Sequence, residues 1–307
     1  MSAASASASL IPVTSAPSPV RLGIAGWSYD DWKGTVYPRT CRDPLVFCAP
    51  FVDFIEINSS FYGIPTVKTA EPWVRRTATH DLFFTMKLHR EFTHDLLLGD
   101  TEIAEFHDAC GPLVQAGRLR SLLAQFNFRF DDVPENRWHL DQLVQAFVDI
   151  APVVVELRHV SWQEPEALEW LAGLPISVVH LDYPGTESGF GLRETGILGP
   201  SKLAYFRLHG RNHGAWFRKD ADRDEVYDYD YSTGEVRELA VRIGEVAAAA
   251  TDTLVVANNH FEGQAMKTAL ELAATLGGGK VRVPDLLAQQ YPELQKIALG
   301  YQRGLFG

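Results

Sequence analysis

Cysteine is scarce in this chain. Its 307 residues contain only Cys41, Cys48 and Cys110, an odd number with no C-x-x-C spacing. That excludes a disulfide framework or zinc ribbon and sets the expectation of a reducing, cytoplasmic environment. Long apolar runs are also missing. No segment approaches the roughly twenty residues that cross a bilayer, so no membrane partner is expected. The first twenty residues, MSAASASASLIPVTSAPSPV, lack a basic n-region and a sustained apolar stretch. They read as a disordered tail over 1–20 rather than a secretory signal. Positive charge is in short supply: 28 Lys and Arg stand against 39 Asp and Glu, a net charge of −11. This weighs against nucleic acid, whose phosphates are neutralised by Lys and Arg.

Several local motifs are absent as well. There is no G-x-G-x-x-G and no phosphate-loop lysine, which counts against an open nucleotide-binding sheet. No H-E-x-x-H marks a metal site, and no G-x-S-x-G elbow marks a serine hydrolase.

What the chain does contain is alternation. Eight short apolar runs recur: Arg21–Gly26, Asp53–Asn58, Leu82–Lys87, Leu122–Asn127, Val153–Arg158, Ile176–Asp182, Leu203–Gly210 and Thr253–His260. Their near-continuous hydrophobicity suits parallel strands covered on both faces. Helical segments lie between them, at 66–78, 137–150, 163–174, 232–250 and 262–279. Ser232 stands three residues before Glu235, a capping-box spacing, and a glycine run ends the last segment. Residues 283–302 read as a closing C-terminal helix. The expected fold is a single α/β domain over 21–307, a (β/α)8 TIM-like barrel, with no linker to a second domain.

Barrels of this kind carry chemistry at the C-terminal ends of their strands. Here those ends read EIN, MK, QFN, ELRH, HLD, FRLHG and ANNH. Side chains two apart share a face, so Glu56 goes with Asn58, Glu156 with Arg158, His180 with Asp182, and Arg207 with His209. If these pairs point inward, one mouth gathers Glu56, Glu156 and Asp182 as acids or bases, beside the cations Lys87, Arg158 and Arg207. Asn58, Gln125 and Asn258 supply neutral hydrogen bonds, and Trp27 and Tyr62 offer aromatic faces for stacking. Such mixed charge shifts proton affinities, as acid–base catalysis requires. No cofactor is expected. A divalent metal on Glu156, His180, Asp182 and His209 is the weaker reading, because three cations compete for the same carboxylates. The loop at 210–232 is long enough to be functional, and its YDYDY run either packs into the following helix or folds over the mouth.

Taken together, GIAGWSYDDWKGTVYP, IEINSSFYGIP, FTMKLHREFTHD, VVELRHVSW, YFRLHGR and NNHFEGQAMKTALEL resemble the YecE-like family, domain of unknown function 72. The resemblance covers everything after the tail and implies a TIM-like barrel whose biochemical activity is not generally established. The family-like positions include Trp27, Glu56, Asn58, Tyr62, Lys87, Glu156, Arg158, Asp182, Arg207, His209, Arg211 and Asn258. Two departures stand out: no proline-rich turn follows the fourth strand, and Lys267-Thr268 replaces a common Asn-Ala pair, a change expected to affect only a helix.

The functional expectation is an enzyme of hydrolase or isomerase type acting on a small polar or anionic substrate, sugar-like or phosphorylated. Glu156 is the preferred base, partnered by Asp182 or Glu56, with Lys87 and His209 completing the reacting set. Trp27, Asn58, Tyr62, Arg158, Arg207, Arg211 and Asn258 hold the substrate, the arginines on its anionic oxygens. The alternatives are a metal-dependent, endonuclease-like barrel and a non-catalytic anion-binding protein. Oligomeric state is not readable from the sequence.

Overall fold

The computed structural model describes residues 19–185, 189–190 and 195–300. The tail expected over 1–20 therefore lies, up to residue 18, outside the described residues, and Val20 already belongs to the first strand. Nine strands follow: β1 (Val20–Ala25), β2 (Phe54–Ile57), β3 (Phe83–Lys87), β4 (Leu119–Gln125), β5 (Val153–Glu156), β6 (Ile176–Val178), β7 (His180–Asp182), β8 (Leu203–Leu208) and β9 (Asp252–Ala257). All their ladders are parallel, in the order β6-β5-β4-β3-β2-β1-β9-β8-β7.

The two ends of that order are one piece of chain. β6 bonds to β5, β7 bonds to β8, and only Val179 separates them. Even Val179 donates its N–H to the Val155 carbonyl, at 2.9 Å. The sixth stave thus joins both edges, and the sheet closes as the expected eight-stave barrel. Closure removes unpaired edges and forces one face of every strand inward.

The barrel interior is filled in layers. Phe54 and Phe83 stack with centroids 5.1 Å apart near the N-terminal end. A Cβ at Gly23 would lie 2.6 Å from the Phe54 ring, so glycine makes room for it. Above that floor, Thr85 meets the Tyr205 hydroxyl at 2.9 Å. Residues two further along these strands, Lys87 and Arg207, begin the polar layer.

Six helices of eight residues or more lie outside among the described residues: α1 (Val67–Arg76), α2 (Asp100–Gln115), α3 (Pro134–Phe147), α4 (Pro165–Ala172), α5 (Thr233–Ala247) and α6 (Gln264–Gly277). Five match expected segments; α2 does not. The capping box at α5 is present, with Glu235 accepting from the Ser232 N–H at 2.8 Å. Gly278 ends α6 in the left-handed conformation. The expected C-terminal helix is a correction: it is two short pieces, Asp285–Gln290 and the 3-10 turn Pro292–Lys296. Pro292 has no N–H to continue the ladder and forces Tyr291 out of helical geometry.

The long connection after β8 is tied down rather than loose. Gln264 accepts from the Tyr229 N–H and donates to Asp228, both at 2.8 Å. Lys267, buried on α6, donates to Asp230 at 2.6 Å and lies 3.3 Å from Glu271 and Glu293. The residue expected to matter only to its helix instead fixes the loop over the barrel mouth.

Candidate active site

Arg207 stands at the centre of the mouth and is 2% exposed. Its Nε and one terminal nitrogen donate to the two oxygens of Glu56, at 3.1 and 2.7 Å. Its other terminal nitrogen donates to Glu156 at 2.5 Å. Every donor nitrogen of the guanidinium is therefore engaged by a buried carboxylate. Glu56 also accepts from Tyr205 at 2.8 Å, and Glu156 from Gln125 at 2.9 Å and Arg158 Nε at 2.7 Å. Four strands, β2, β4, β5 and β8, contribute these side chains, and the closed barrel brings them within a few ångströms.

Electrostatics follow from this lattice. Burial by itself would raise the Glu156 carboxyl, but Arg158, Arg207 and His209 outweigh it and hold the group well below the usual range. Burial would weaken the Arg207 guanidinium as a cation, yet Glu56 and Glu156 push its proton affinity upward. Burial pulls the His209 imidazole down to about 4 against the opposing pull of Glu156, so the ring is neutral at pH 7. Asn258 Nδ2 lies 2.9 Å from His209 Nδ1, and with the amide donating, the ring proton sits on Nε2, 3.4 Å from Glu156.

Lys87 is different. Its Nζ lies 3.8 Å over the Phe61 ring, and no hydrogen bond or ion pair from it is found among the described residues. Burial, and then the positive charge of Arg207, pull its ammonium down to about 7 despite Glu156 and Glu56. Both carboxylates that could have neutralised it are taken by arginines. It opens onto a cavity of about 80 Å³ lined by Tyr29, Asn58, Tyr62, Gln125, Arg207, Tyr227, Asn258 and His260. A shallower cleft of about 290 Å³, lined by Trp27, Ser28 and Ser59, shares Tyr29, Asn58 and Tyr62 with it. Trp27 is braced edge-on against Trp73 at 5.8 Å, whereas Tyr62 is 71% exposed. Gly26 turns the chain between strand and cleft at φ 76, and a Cβ there would lie 2.8 Å from the Tyr29 hydroxyl.

Most of the expected mouth is assembled: Glu56, Asn58, Lys87, Glu156, Arg158, Arg207, His209 and Asn258 converge, with Trp27 and Tyr62 on the outer shoulder. Asp182, His180 and Arg211 are corrections. Asp182 is buried, but it accepts from Arg211 at 2.7 Å and from Tyr231 at 2.7 Å, with Arg242 of α5 at 3.6 Å. His180 stacks on Phe206 at 4.6 Å, under the Arg242 guanidinium. Both strand residues face the helix layer, and Arg211 follows Asp182 there instead of lining the cavity.

Two further corrections follow. With His180 and Asp182 turned away, the four suggested metal ligands do not meet. No group of three or more His, Cys, Asp or Glu among the described residues is placed to hold a metal ion. Glu156 is also poorly suited as a base, since both oxygens accept charged donors. Arg207 is likewise spent on carboxylates rather than free for an anionic substrate, whereas Arg158 bonds Glu156 through Nε and keeps a buried terminal nitrogen with no hydrogen-bond partner among the described residues.

Sequence reasoning missed Tyr205, although it lies two residues before Arg207 on the same face. It also gave no place in the cavity to Tyr29, Tyr227 or His260. Tyr29 and His260 stack at 4.5 Å from opposite ends of the chain, and Tyr227 packs on His260 at 5.2 Å. The YDYDY run does both things considered for it: Tyr229 and Tyr231 pack inward, and Tyr227 reaches the cavity.

Comparison with known proteins fits this geometry. The family described as "Protein of unknown function DUF72" matches residues 21–294. UPF0759 protein YunF of Bacillus subtilis (strain 168) is 25% identical over 260 residues, 80% of this chain and 90% of its own. A DUF72 family protein of Thermotoga maritima MSB8 has a TM-score of 0.74 at 32% identity, covering 84% of this chain and 99% of its own. One from Enterococcus faecalis V583 has 0.71 at 27%, covering 84% and 96%. Among the described residues no helix is long and apolar enough to cross a membrane. With strand order, closed barrel and sequence match in agreement over residues 21–294, this protein belongs to the DUF72 family, a TIM-barrel family of unknown function.

Proposed function

We propose that this protein is an enzyme of the acid–base type, isomerase or hydrolase, acting on a small polar, sugar-like molecule with the Lys87 amine as the proton-transfer group. One observation carries the reading. Lys87 is the only lysine among the residues lining the cavity, it has no counterion among the described residues, and its ammonium is pulled to about 7, where it both gives and takes protons. A purely structural lysine would be paired; the surrounding carboxylates are held by arginines instead.

The other mouth residues support Lys87. Arg207, Glu56 and Glu156 form a rigid charged frame in which both carboxylates bond to arginine rather than to the Lys87 amine. Asn58, Asn258 and Gln125 offer amides for orienting hydroxyl groups, and Trp27 and Tyr62 present faces on which a sugar ring can stack.

The test is turnover across a panel of aldoses, ketoses, glycosides and their phosphate monoesters, with wild type and Lys87→Met side by side. A base must be neutral to accept a proton, so activity should climb as pH rises through about 7 and be lost in the variant. Turnover by Lys87→Met at the wild-type rate would remove Lys87 from the chemistry and the reading with it.

A further inference from the structure

We propose that Lys87 acts covalently, forming an imine with a short hydroxy-aldehyde or hydroxy-ketone whose carbonyl end occupies the inner cavity. This deepens the function proposed above and rests on it. Three independent features of the geometry support the covalent step.

The first is the isolation of the amine. Its Nζ faces the π surface of Phe61 at 3.8 Å and is bound by no carboxylate among the described residues. A nucleophilic amine must keep its lone pair free, and an amine not held by a carboxylate can do so. The charged groups facing it are Arg207, Arg158, Glu156 and Glu56, with His94 beyond Phe61. Desolvation beside another cation is the known route to a nucleophilic lysine, and it leaves a large share of Lys87 neutral at pH 7.

The second feature is size. The cavity, at about 80 Å³, is about half the size of a cavity of roughly 150 Å³ that takes benzene. That corresponds to a carbonyl with one or two attached carbons. The outer cleft of about 290 Å³, which shares Tyr29, Asn58 and Tyr62 with it as lining residues, accepts the rest of a longer chain.

The third is an unused acceptor. Asn58 Oδ1 is shielded from solvent, has no hydrogen-bond partner among the described residues and belongs to a residue lining the same cavity. An unsatisfied buried acceptor is costly and marks a place where a ligand hydroxyl donates. A hydroxyl next to the carbonyl, or the carbinolamine hydroxyl itself, fills that role.

The step balances without a co-reactant. The Lys87 nitrogen attacks the carbonyl carbon, a C–N bond forms, and the carbonyl π pair moves to oxygen, which takes a proton from nitrogen. The carbinolamine hydroxyl then leaves with the second amine proton as water, and the nitrogen lone pair closes the C=N bond. Water reverses the sequence.

The experiment is reductive trapping on the full chain. Protein at pH 7 is mixed with glycolaldehyde or dihydroxyacetone, quenched with sodium borohydride, digested and mapped by mass spectrometry. The expected result is one reduced adduct on the peptide carrying Lys87. It should form roughly a hundredfold faster than at exposed Lys33 or Lys68, because an amine lowered to about 7 is neutral at pH 7 about a thousandfold more often than a free lysine side chain, while intrinsic nucleophilicity falls with basicity. Lys87→Arg, which keeps a cation, and Lys87→Met should both abolish that adduct; near-wild-type melting temperatures show that they fold. Labelling spread evenly over the surface lysines, or an adduct surviving in both variants, overturns the imine. If trapping fails while panel turnover still depends on Lys87, the imine falls and the acid–base reading stands. If turnover does not depend on Lys87, both fall.

Discussion

Arg207→Met is the sharpest probe of the charged frame. The substitution preserves side-chain length but removes a fully buried cation that bonds Glu56 at 3.1 and 2.7 Å and Glu156 at 2.5 Å. Taking away one partner of a buried pair leaves an uncompensated charge and costs about 3–5 kcal/mol. For a chain of 307 residues, an unfolding entropy of about 2.1 cal/mol/K per residue turns that into a Tm drop of roughly 5–8 °C. The two carboxylates are not orphaned equally. Among the described residues Glu156 keeps Arg158 at 2.7 Å and Gln125 at 2.9 Å, whereas Glu56 keeps only the Tyr205 hydroxyl at 2.8 Å. Adding Glu56→Gln should therefore restore about 1–2 kcal/mol, and adding Glu156→Gln should restore less, because it strands Arg158.

The pH dependence has a definite sign. Glu156 is held below its unfolded value in the wild type, so its contribution is present above the unfolded carboxylate range and fades as pH falls through the depressed value. In Arg207→Met the orphaned carboxylates gain by taking up protons, so the deficit narrows as the solution is acidified. Calorimetric melts of the four proteins between pH 5 and 8 provide the assay. A loss under 1 kcal/mol for Arg207→Met, or greater rescue by Glu156→Gln than by Glu56→Gln, would refute the assignment of Glu56 as the dependent partner.

Other perturbations separate stability from the site. Lys87 has a folded-state value lowered to about 7, so its ammonium weakens the fold below that pH and the penalty disappears as pH rises towards the unfolded value near 10.4. Lys87→Met should thus be more stable than wild type by about 1–2 kcal/mol at neutral pH and below, the gain vanishing in alkaline melts. Ser232→Ala removes the cap of α5 and should cost about 1 kcal/mol by urea denaturation, with trapping at Lys87 unchanged. Tyr62→Ala removes a side chain that is 71% exposed, so stability should stay within about 0.5 kcal/mol while saturation by a pentose or hexose weakens. An unaltered sugar affinity would exclude Tyr62 from the shoulder.

The amino-acid sequence by itself determined the barrel and most of its mouth. Apolar runs of strand length alternating with helices leave few architectures, and the polar ends of those runs mark the rim. Period two then groups Tyr205, Arg207 and His209, and likewise Glu56 with Asn58. Parity shows which residues share a face; only tertiary structure decided which face is inside. In ISVVHLD both faces are apolar enough to be buried, and His180 and Asp182 turn outward because Phe206, Tyr231, Arg211 and Arg242 are waiting there. The same holds for the charges. A composition lists cations and carboxylates without pairing them, and distance alone gives both carboxylates to arginine and leaves Lys87 without one. Tyr29, Tyr227 and His260 come together only when the loop after β8 is pinned by Lys267 and Gln264, contacts between residues more than thirty positions apart that no local pattern records.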